Sequence, residues 1–207
     1  MAVLHCAAIL FDLDGVLVDS AECVERTWRR WALSHGLSPE HVRDVAHGRR
    51  TTEVIQLVAP HLAAGDETAA LARSESTTTE GVYEVPGARA LLRSLPSGAW
   101  AIVTSGIRDV ATLRIRHTGL PMPKVLVCAD DIQRGKPDPE GYLTAAAELG
   151  VAPADCVVIE DAPAGIEAAR AGGMRVIAIG GTFEPAALSG ADLVVPRLDS
   201  LAVTLTG

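Results

Sequence analysis

Short apolar runs that alternate with helix-length segments are the feature that most limits how this chain can fold. Helical patterns such as 108–117 and 139–149 separate most of these runs. Strands that alternate with helices in this way indicate a parallel sheet. The predicted strands of the sheet cover residues 7–13, 99–103, 125–128, 156–159, 175–179 and 193–195. We therefore predict an α/β fold built on a parallel sheet.

The stretch between residues 20 and 82 carries helical patterns and no strand pattern. We predict helices over 20–35 and 39–46, a third that starts at Thr51 or Thr52 and a fourth that starts at Asp66. The expected organisation is an all-helical unit inserted after the first strand. We place this unit at residues 18–83, the sheet-containing core at 1–17 and 84–207, and hinges near 16–20 and 82–87.

The composition limits the classes of partner. Hydrophobic residues make up 48% of the 207 residues, and the formal net charge is −8. A general binder of nucleic acid or of an anionic membrane is normally basic, so we expect neither partner. The sequence shows no apolar stretch long enough to span a membrane and no basic leader, so we expect a cytoplasmic protein. We expect a monomer or weak dimer, with reduced cysteines at positions 6, 23, 128 and 156.

Polar residues follow four of the predicted strands, at the strand ends or, for Lys136, in the loop after the strand. Ligands of parallel α/β sheets bind at this edge, so the residues are expected to meet in one site. Their individual alternatives are ordinary: a helix cap at Glu160–Asp161, a turn at 104–106 and a solvated loop at 135–137. The candidate residues are Asp12, Asp14, Thr104, Ser105, Gly106, Lys136, Glu160 and Asp161.

The combination of carboxylates, hydroxyls and one ammonium indicates chemistry on a phosphate ester. Carboxylates packed together repel unless a cation compensates, and oxygen ligands favour Mg²⁺. Lys136, Thr104 and the N–H groups of Ser105 and Gly106 could then hold phosphoryl oxygens. One of the two aspartates at 12 and 14 could attack phosphorus while the other transfers protons.

Four segments resemble the motifs of the haloacid dehalogenase-like hydrolase superfamily, in order: FDLDGVLVDS, IVTSG, GKPDPEGY and VVIEDAPAGIEAARAGG. The resemblance implies a Rossmann-like core with a helical cap after the first motif. It implies Asp12 as nucleophile and Asp14 as general acid/base. It implies a Mg²⁺ site at the Asp12 and Asp161 carboxylates and the Asp14 backbone carbonyl, with Glu160 beside it. Thr104, Ser105 and Lys136 resemble phosphate-holding residues, and Asp14 argues against dehalogenase chemistry.

Within the superfamily, the run HGRRTTEV is most similar to phosphatases of sugar and polyol phosphates, including 2-deoxyglucose 6-phosphate and glycerol phosphate. We expect one or two of His47, Arg49 and Arg50 to contact such a substrate; a solvated basic loop is the alternative. A phosphosugar mutase of the β-phosphoglucomutase kind shares the core motifs, but the serine-arginine pair usual in its cap is not found. A non-catalytic phosphometabolite-binding protein is a third hypothesis.

Overall fold

The computed structural model describes residues 2–46 and 49–205. Ten strands form in these residues: β1 (Ala2–Cys6), β2 (Ala8–Phe11), β3 (Val18–Asp19), β4 (Tyr83–Glu84), β5 (Trp100–Val103), β6 (Val125–Val127), β7 (Cys156–Glu160), β8 (Arg175–Ile179), β9 (Leu193–Val195) and β10 (Leu201–Leu205). The α-helices are α1 (Ala21–Ser34), α2 (Pro39–Ala46), α3 (Thr51–Val58), α4 (Ala64–Glu75), α5 (Ala88–Ser94), α6 (Arg108–His117), α7 (Glu140–Leu149) and α8 (Pro163–Ala171).

The main sheet contains six strands in the order β6-β5-β2-β7-β8-β9, all parallel. Its central strand β2 is buried on both faces: Ile9 and Phe11 belong to one apolar cluster, while Ala8 and Leu10 belong to the other. Side chains alternate between the faces of a strand, and helices cover both faces of a parallel sheet. The predicted α/β fold is confirmed.

Helices α1 to α4 lie between β2 and β5 in the chain and share an apolar cluster of their own. Trp28 and Trp31 anchor this cluster in an edge-to-face arrangement, with their ring centroids 5.5 Å apart. The indole N–H of Trp31 also donates a hydrogen bond of 2.7 Å to Glu67 on α4. These contacts bury both tryptophans inside the helical insert, as expected for packing residues.

Two small strand pairs were missed by the sequence analysis. Strands β3 and β4 pair antiparallel where the chain enters and leaves the helical insert, with Val18 opposite Glu84. Strands β1 and β10 pair in parallel, Ala2 with Leu201. These pairs lie outside the main sheet. Strands β3 and β4 are only two residues long, too short to show an apolar pattern. Strands β1 and β10 are mostly apolar, but the sequence does not reveal that they pair with each other. The insert consequently follows β2, the second strand of the chain.

Two predictions about the chain as a whole can be compared with the described residues. All four cysteines are buried and free of disulfides. Among residues 2–46 and 49–205, no helix combines the length and apolar character that a bilayer crossing demands. The cytoplasmic location and the oligomeric state stay predictions.

Candidate active site

The candidate residues gather at the carboxyl edge of the main sheet. Asp12 follows β2, Thr104 follows β5, and Glu160 is the last residue of β7 with Asp161 directly after it. Strands β5, β2 and β7 are neighbours and parallel, so their ends lie side by side. Sheet topology therefore brings residues from distant parts of the sequence to one location.

Lys136 forms the centre of this location. Its Nζ lies 2.6 Å from Asp12 Oδ1 and 2.6 Å from Glu160 Oε1. All three side chains are buried. The ammonium also lies 5.1 Å from the ring centroid of Tyr142, whose hydroxyl donates a 3.0 Å hydrogen bond to Glu160. One buried ammonium thus joins two buried carboxylates, an arrangement that fixes the Asp12 side chain.

Glu160 is held by the backbone that leads into α8 as well as by Lys136. Its Oε2 accepts hydrogen bonds from the N–H groups of Asp161 and Ala162, at 2.7 and 2.8 Å. The N–H groups at a helix start have no partner within the helix, and the helix dipole favours a negative group there. With both oxygens occupied, Glu160 is better suited to positioning Lys136 than to direct ligation of a metal.

Asp12, Glu160 and Asp161 bring carboxylate oxygens within 4.8 Å of one another. Burial raises the pKa of Asp12 to about 7; Lys136 opposes this rise and Glu160 adds to it. Burial, Glu160 and Asp12 also raise the pKa of Asp161 well above its ordinary value. A buried group of acids with one ammonium carries uncompensated negative charge, so these residues fit a divalent cation.

The Asp161 carboxylate packs directly against the backbone that follows Asp14. A Cβ on Gly15 would lie 1.9 Å from Asp161 Oδ2, and Gly15 has a φ of +84°. Glycine is required at position 15 for two reasons: the backbone is left-handed, and the Asp161 carboxylate lies too close for a Cβ. The turn at 14–15 and the Asp161 carboxylate therefore share one wall of the site.

The Asp14 carboxylate faces a different set of partners. Its Oδ1 accepts hydrogen bonds from Ser20 Oγ at 2.6 Å and from Arg114 Nη1 at 2.7 Å. Its side chain retains 28% of its accessible surface, whereas Arg114 retains 5%. Asp14 was expected in the site with Asp12, but the sequence gives no indication of Arg114, which lies one hundred positions away.

Thr104 and Ser105 line a small cavity next to Lys136 and Tyr142. In this structure the Gly106 N–H donates a 3.0 Å hydrogen bond to Thr104 Oγ1. The loop after β5 is therefore closed on itself at Gly106, while Thr104 is buried beside the cavity. The location agrees with a phosphate-holding role, and that role stays a prediction.

Arg50 brings the helical insert to the same cavity. Its guanidinium Nη1 donates a 2.7 Å hydrogen bond to the Gln133 carbonyl oxygen. A Cβ on Gly135 would lie 2.2 Å from Arg50 Cδ, so the arginine stem rests on the loop that carries Lys136. Arg49 is exposed. His47, the third basic candidate in the insert, lies outside the described residues.

The comparisons with known proteins agree with this geometry. The sequence profile of haloacid dehalogenase-like hydrolases matches residues 6–173. Hexitol phosphatase A of Escherichia coli (strain K12) is 44% identical over 97% of this chain and 95% of its own. Glycerol-1-phosphate phosphohydrolase 2 of Saccharomyces cerevisiae is 37% identical over 95% of this chain and 84% of its own.

Among solved structures, a β-phosphoglucomutase from Clostridium difficile has the same fold, with a TM-score of 0.80 and 24% identity over 95% of this chain and 93% of its own. The two phosphatases above are more similar to this chain in sequence, at 44% and 37% identity, than this mutase is. Their names confirm the predicted enzyme class of phosphoric monoester hydrolase. From its motifs, its fold and these relatives, the chain belongs to the haloacid dehalogenase-like hydrolase family.

Proposed function

We propose that this chain is a Mg²⁺-dependent phosphatase that hydrolyses a sugar or polyol phosphate through an aspartyl phosphate on Asp12. The observation that carries the proposal is the buried Asp12–Lys136–Glu160 arrangement, with both Nζ–oxygen distances at 2.6 Å. It presents a fixed carboxylate oxygen beside a fixed ammonium, as attack on a phosphoryl group requires. The hexitol and glycerol phosphatases named above support the substrate class.

In the first step, a carboxylate oxygen of Asp12 forms a bond to phosphorus while the ester P–O bond breaks. The leaving alkoxide takes a proton from the Asp14 carboxyl group. In the second step, water attacks phosphorus, its proton passes to the Asp14 carboxylate and the bond between phosphorus and Asp12 breaks. Phosphate is released with Asp12 and Asp14 returned to their starting protonation states.

The residues of the proposed metal site are the Asp12 and Asp161 carboxylates and the Asp14 backbone carbonyl, with Glu160 next to them. Mg²⁺ held there would supply positive charge, which would allow a dianionic phosphoryl group to enter a pocket lined by acids. Lys136 would provide a second positive charge, and Thr104 and Ser105 are proposed to donate hydrogen bonds to the remaining phosphoryl oxygens. This assignment explains why so many acids are buried together.

We further propose that residues 18–83 act as a cap and that Arg50 contacts the substrate from it. The guanidinium already reaches across to the loop that carries Lys136, and it lines the same cavity as Thr104. A planar guanidinium donates several hydrogen bonds in a fixed geometry, which suits recognition of hydroxyl or phosphate oxygens. His47 and Arg49 stay candidates for the same role.

The proposal predicts Mg²⁺-dependent release of phosphate from hexitol phosphates and glycerol phosphate. Asp12→Asn removes the nucleophile and should lower kcat by at least about 1,000-fold. A chelator should abolish turnover in the wild type, and added Mg²⁺ should restore it. Asp66→Asn, an exposed change on α4, is the matched control and should keep full activity.

Phosphorus NMR of the products completes the test. A phosphatase gives inorganic phosphate, whereas a mutase activated by a sugar bisphosphate gives an isomeric sugar phosphate. Turnover that persists in Asp12→Asn and in chelator would contradict the mechanism. Measurable binding of these esters without turnover by the wild type would support a non-catalytic binding protein instead.

A further inference from the structure

Arg114 is a buried arginine that reaches the second aspartate of the site from a helix of the core. It lies on α6, is 4% exposed and donates from Nη1 to Asp14 Oδ1 at 2.7 Å. Its other terminal nitrogen, Nη2, is buried and has no hydrogen-bond partner among the described residues. Burying a guanidinium is unfavourable unless it is paired with a negative charge. The short hydrogen bond to Asp14 provides this pairing.

Ser20 donates to the same oxygen of Asp14, at 2.6 Å. It occupies the N-cap position of α1, yet its side chain makes no capping hydrogen bond. Serine at this position ordinarily accepts a hydrogen bond from the helix backbone. Here the hydroxyl is directed to Asp14 instead. Two independent donors therefore converge on Oδ1, while Oδ2 of Asp14 has no hydrogen-bond partner in the described part of the chain.

Glu75 provides a negative charge on the far side of Arg114. It is the last residue of α4, its side chain is 17% exposed, and its Oε1 lies 3.8 Å from Arg114 Nη2. This distance makes an ion pair without a hydrogen bond. Contacts from Asp14 to Arg114 and from Arg114 to Glu75 thus connect the site to the end of a helix in the insert.

We propose that Arg114 is a positioning residue that fixes the orientation of Asp14, with Glu75 as its counter-charge from the insert. This inference rests on the proposed function, in which Asp14 passes a proton to the leaving group. By holding Oδ1, Arg114 and Ser20 leave Oδ2 as the oxygen that carries and transfers that proton. Glu75 keeps the guanidinium in place, so that the end of α4 contributes to the alignment of the acid.

Leaving-group dependence separates such a role from general structural support. Phenolate is a poorer leaving group than p-nitrophenolate and gains more from protonation as the P–O bond breaks. A misaligned Asp14 should therefore slow phenyl phosphate more than p-nitrophenyl phosphate. Loss of folded protein would lower both rates by the same factor and leave their ratio unchanged.

The experiment measures kcat/KM for both esters with Mg²⁺ in Arg114→Met, Arg114→Lys and Glu75→Gln. We expect Arg114→Met to lower the phenyl phosphate value at least about tenfold more than the p-nitrophenyl phosphate value. Arg114→Lys keeps the charge and should recover part of this loss, and Glu75→Gln should show a smaller effect in the same direction. Arg116→Met, an exposed change on the same helix, is the matched control and should leave the ratio unchanged.

An unchanged ratio in both Arg114→Lys and Glu75→Gln, which retain most of the buried volume, overturns the proposal even if Arg114→Met does not fold. A wild type that releases phosphate neither from these esters nor from hexitol and glycerol phosphates contradicts the proposed function instead. Crystal structures of the wild type and of Glu75→Gln then test the contact by itself. An Asp14 side chain that contacts Arg114 in the first and changes orientation in the second supports the positioning role; an identical orientation in both overturns it.

Discussion

Two opposing effects act on the charge of Lys136: burial and the two neighbouring carboxylates. Burial disfavours its charged form, but Asp12 and Glu160 outweigh this effect and hold its pKa well above the ordinary value of a lysine. The ammonium therefore stays charged at neutral pH inside the core. Because two carboxylates share it, the removal of Lys136 leaves two buried negative charges close together without compensation.

Lys136→Met should therefore destabilise the protein as well as inactivate it. Breaking a buried ion pair by removing one partner typically costs about 3–5 kcal/mol of unfolding free energy. We expect a loss of this order in urea denaturation without metal, together with loss of phosphatase activity. The chain's other lysine, Lys124, is exposed. Lys124→Met should change the unfolding free energy by less than about 0.5 kcal/mol.

Addition of Glu160→Gln to Lys136→Met provides an internal check on this prediction. The double variant removes one of the two uncompensated charges, so it should regain part of the lost stability. Strictly additive losses, or a Lys136→Met protein as stable as the wild type, would show that the ammonium does not compensate both carboxylates.

At the scale of elements, the first turn of α8 is shaped around the Glu160 carboxylate. A Cβ on Gly165 would lie 1.5 Å from Glu160 Oε1, so no side chain fits there without moving that carboxylate. The start of the helix can thus come close to Glu160, and the N–H groups of Asp161 and Ala162 just before it donate to that carboxylate. The glycine is part of the site although it makes no chemical contribution of its own.

Gly165→Ala should consequently displace Glu160 and disturb Lys136. Overpacking of this kind costs about 1–3 kcal/mol, and we expect at least a tenfold drop in kcat, by order of magnitude, from the displaced ammonium. Thermal unfolding and phosphate release measure the two effects. Gly65→Ala on α4, where a Cβ meets no atom within 4 Å, is the matched control. It should be neutral or stabilising by up to about 1 kcal/mol; equal effects at both positions would contradict the steric explanation.

The elements also show what could be predicted from the sequence. Helices α2 and α6 have the bounds predicted from the sequence. Amphipathic spacing is a strong local signal in α2, whereas the apolar face of α6 is only weakly marked. Helix α4 begins at Ala64, before the predicted Asp66, because the start of a helix is marked by few residues. Strands β1 and β10 were missed, since their pairing is set by tertiary structure.

The same division applies to the candidate site. Asp12, Lys136 and Asp161 could be predicted to meet because they follow strands of one parallel sheet, and the carboxyl ends of such strands lie at the same edge. Arg114 and Tyr142 lie on helix faces, where position in the sequence does not reveal which side chain points at the site. Their roles became visible only from three-dimensional contacts such as the Arg114–Asp14 hydrogen bond.

For the molecule as a whole, the buried acids couple metal binding to pH. In the metal-free protein the pKa of Asp12 is raised to about 7, whereas an unfolded aspartate ionises near its ordinary value of 3.8. The folded state thus binds more protons than the unfolded state between these values. The metal-free protein should lose unfolding free energy as the pH rises through this interval, and Mg²⁺ should reverse the loss because it binds the ionised form.

We therefore expect the stabilisation by Mg²⁺ to grow with pH. Saturating Mg²⁺ should raise Tm by roughly 5 °C at about pH 8 and by less than roughly 2 °C at about pH 5.5. Differential scanning calorimetry with and without Mg²⁺ measures this difference directly. Asp12→Asn, which has no ionisable group at this position, should show a smaller shift with less dependence on pH. A shift that is independent of pH in the wild type would contradict the assignment.

The pairing of β3 with β4 has a consequence for how proteins of this design diversify. Val18 lies opposite Glu84 and Asp19 opposite Tyr83, so the two crossing points between insert and sheet are adjacent in space. Segments of different length can be inserted at this junction without altering the distance between the two ends that the core must hold, and the entropic cost of a longer segment grows only slowly with its length. Much of the substrate-facing module can therefore be replaced while Asp12, Lys136 and Asp161 keep their places in the core. A grafted insert would need to retain the partners of Asp14 and Arg114 that this insert supplies, Ser20 and Glu75.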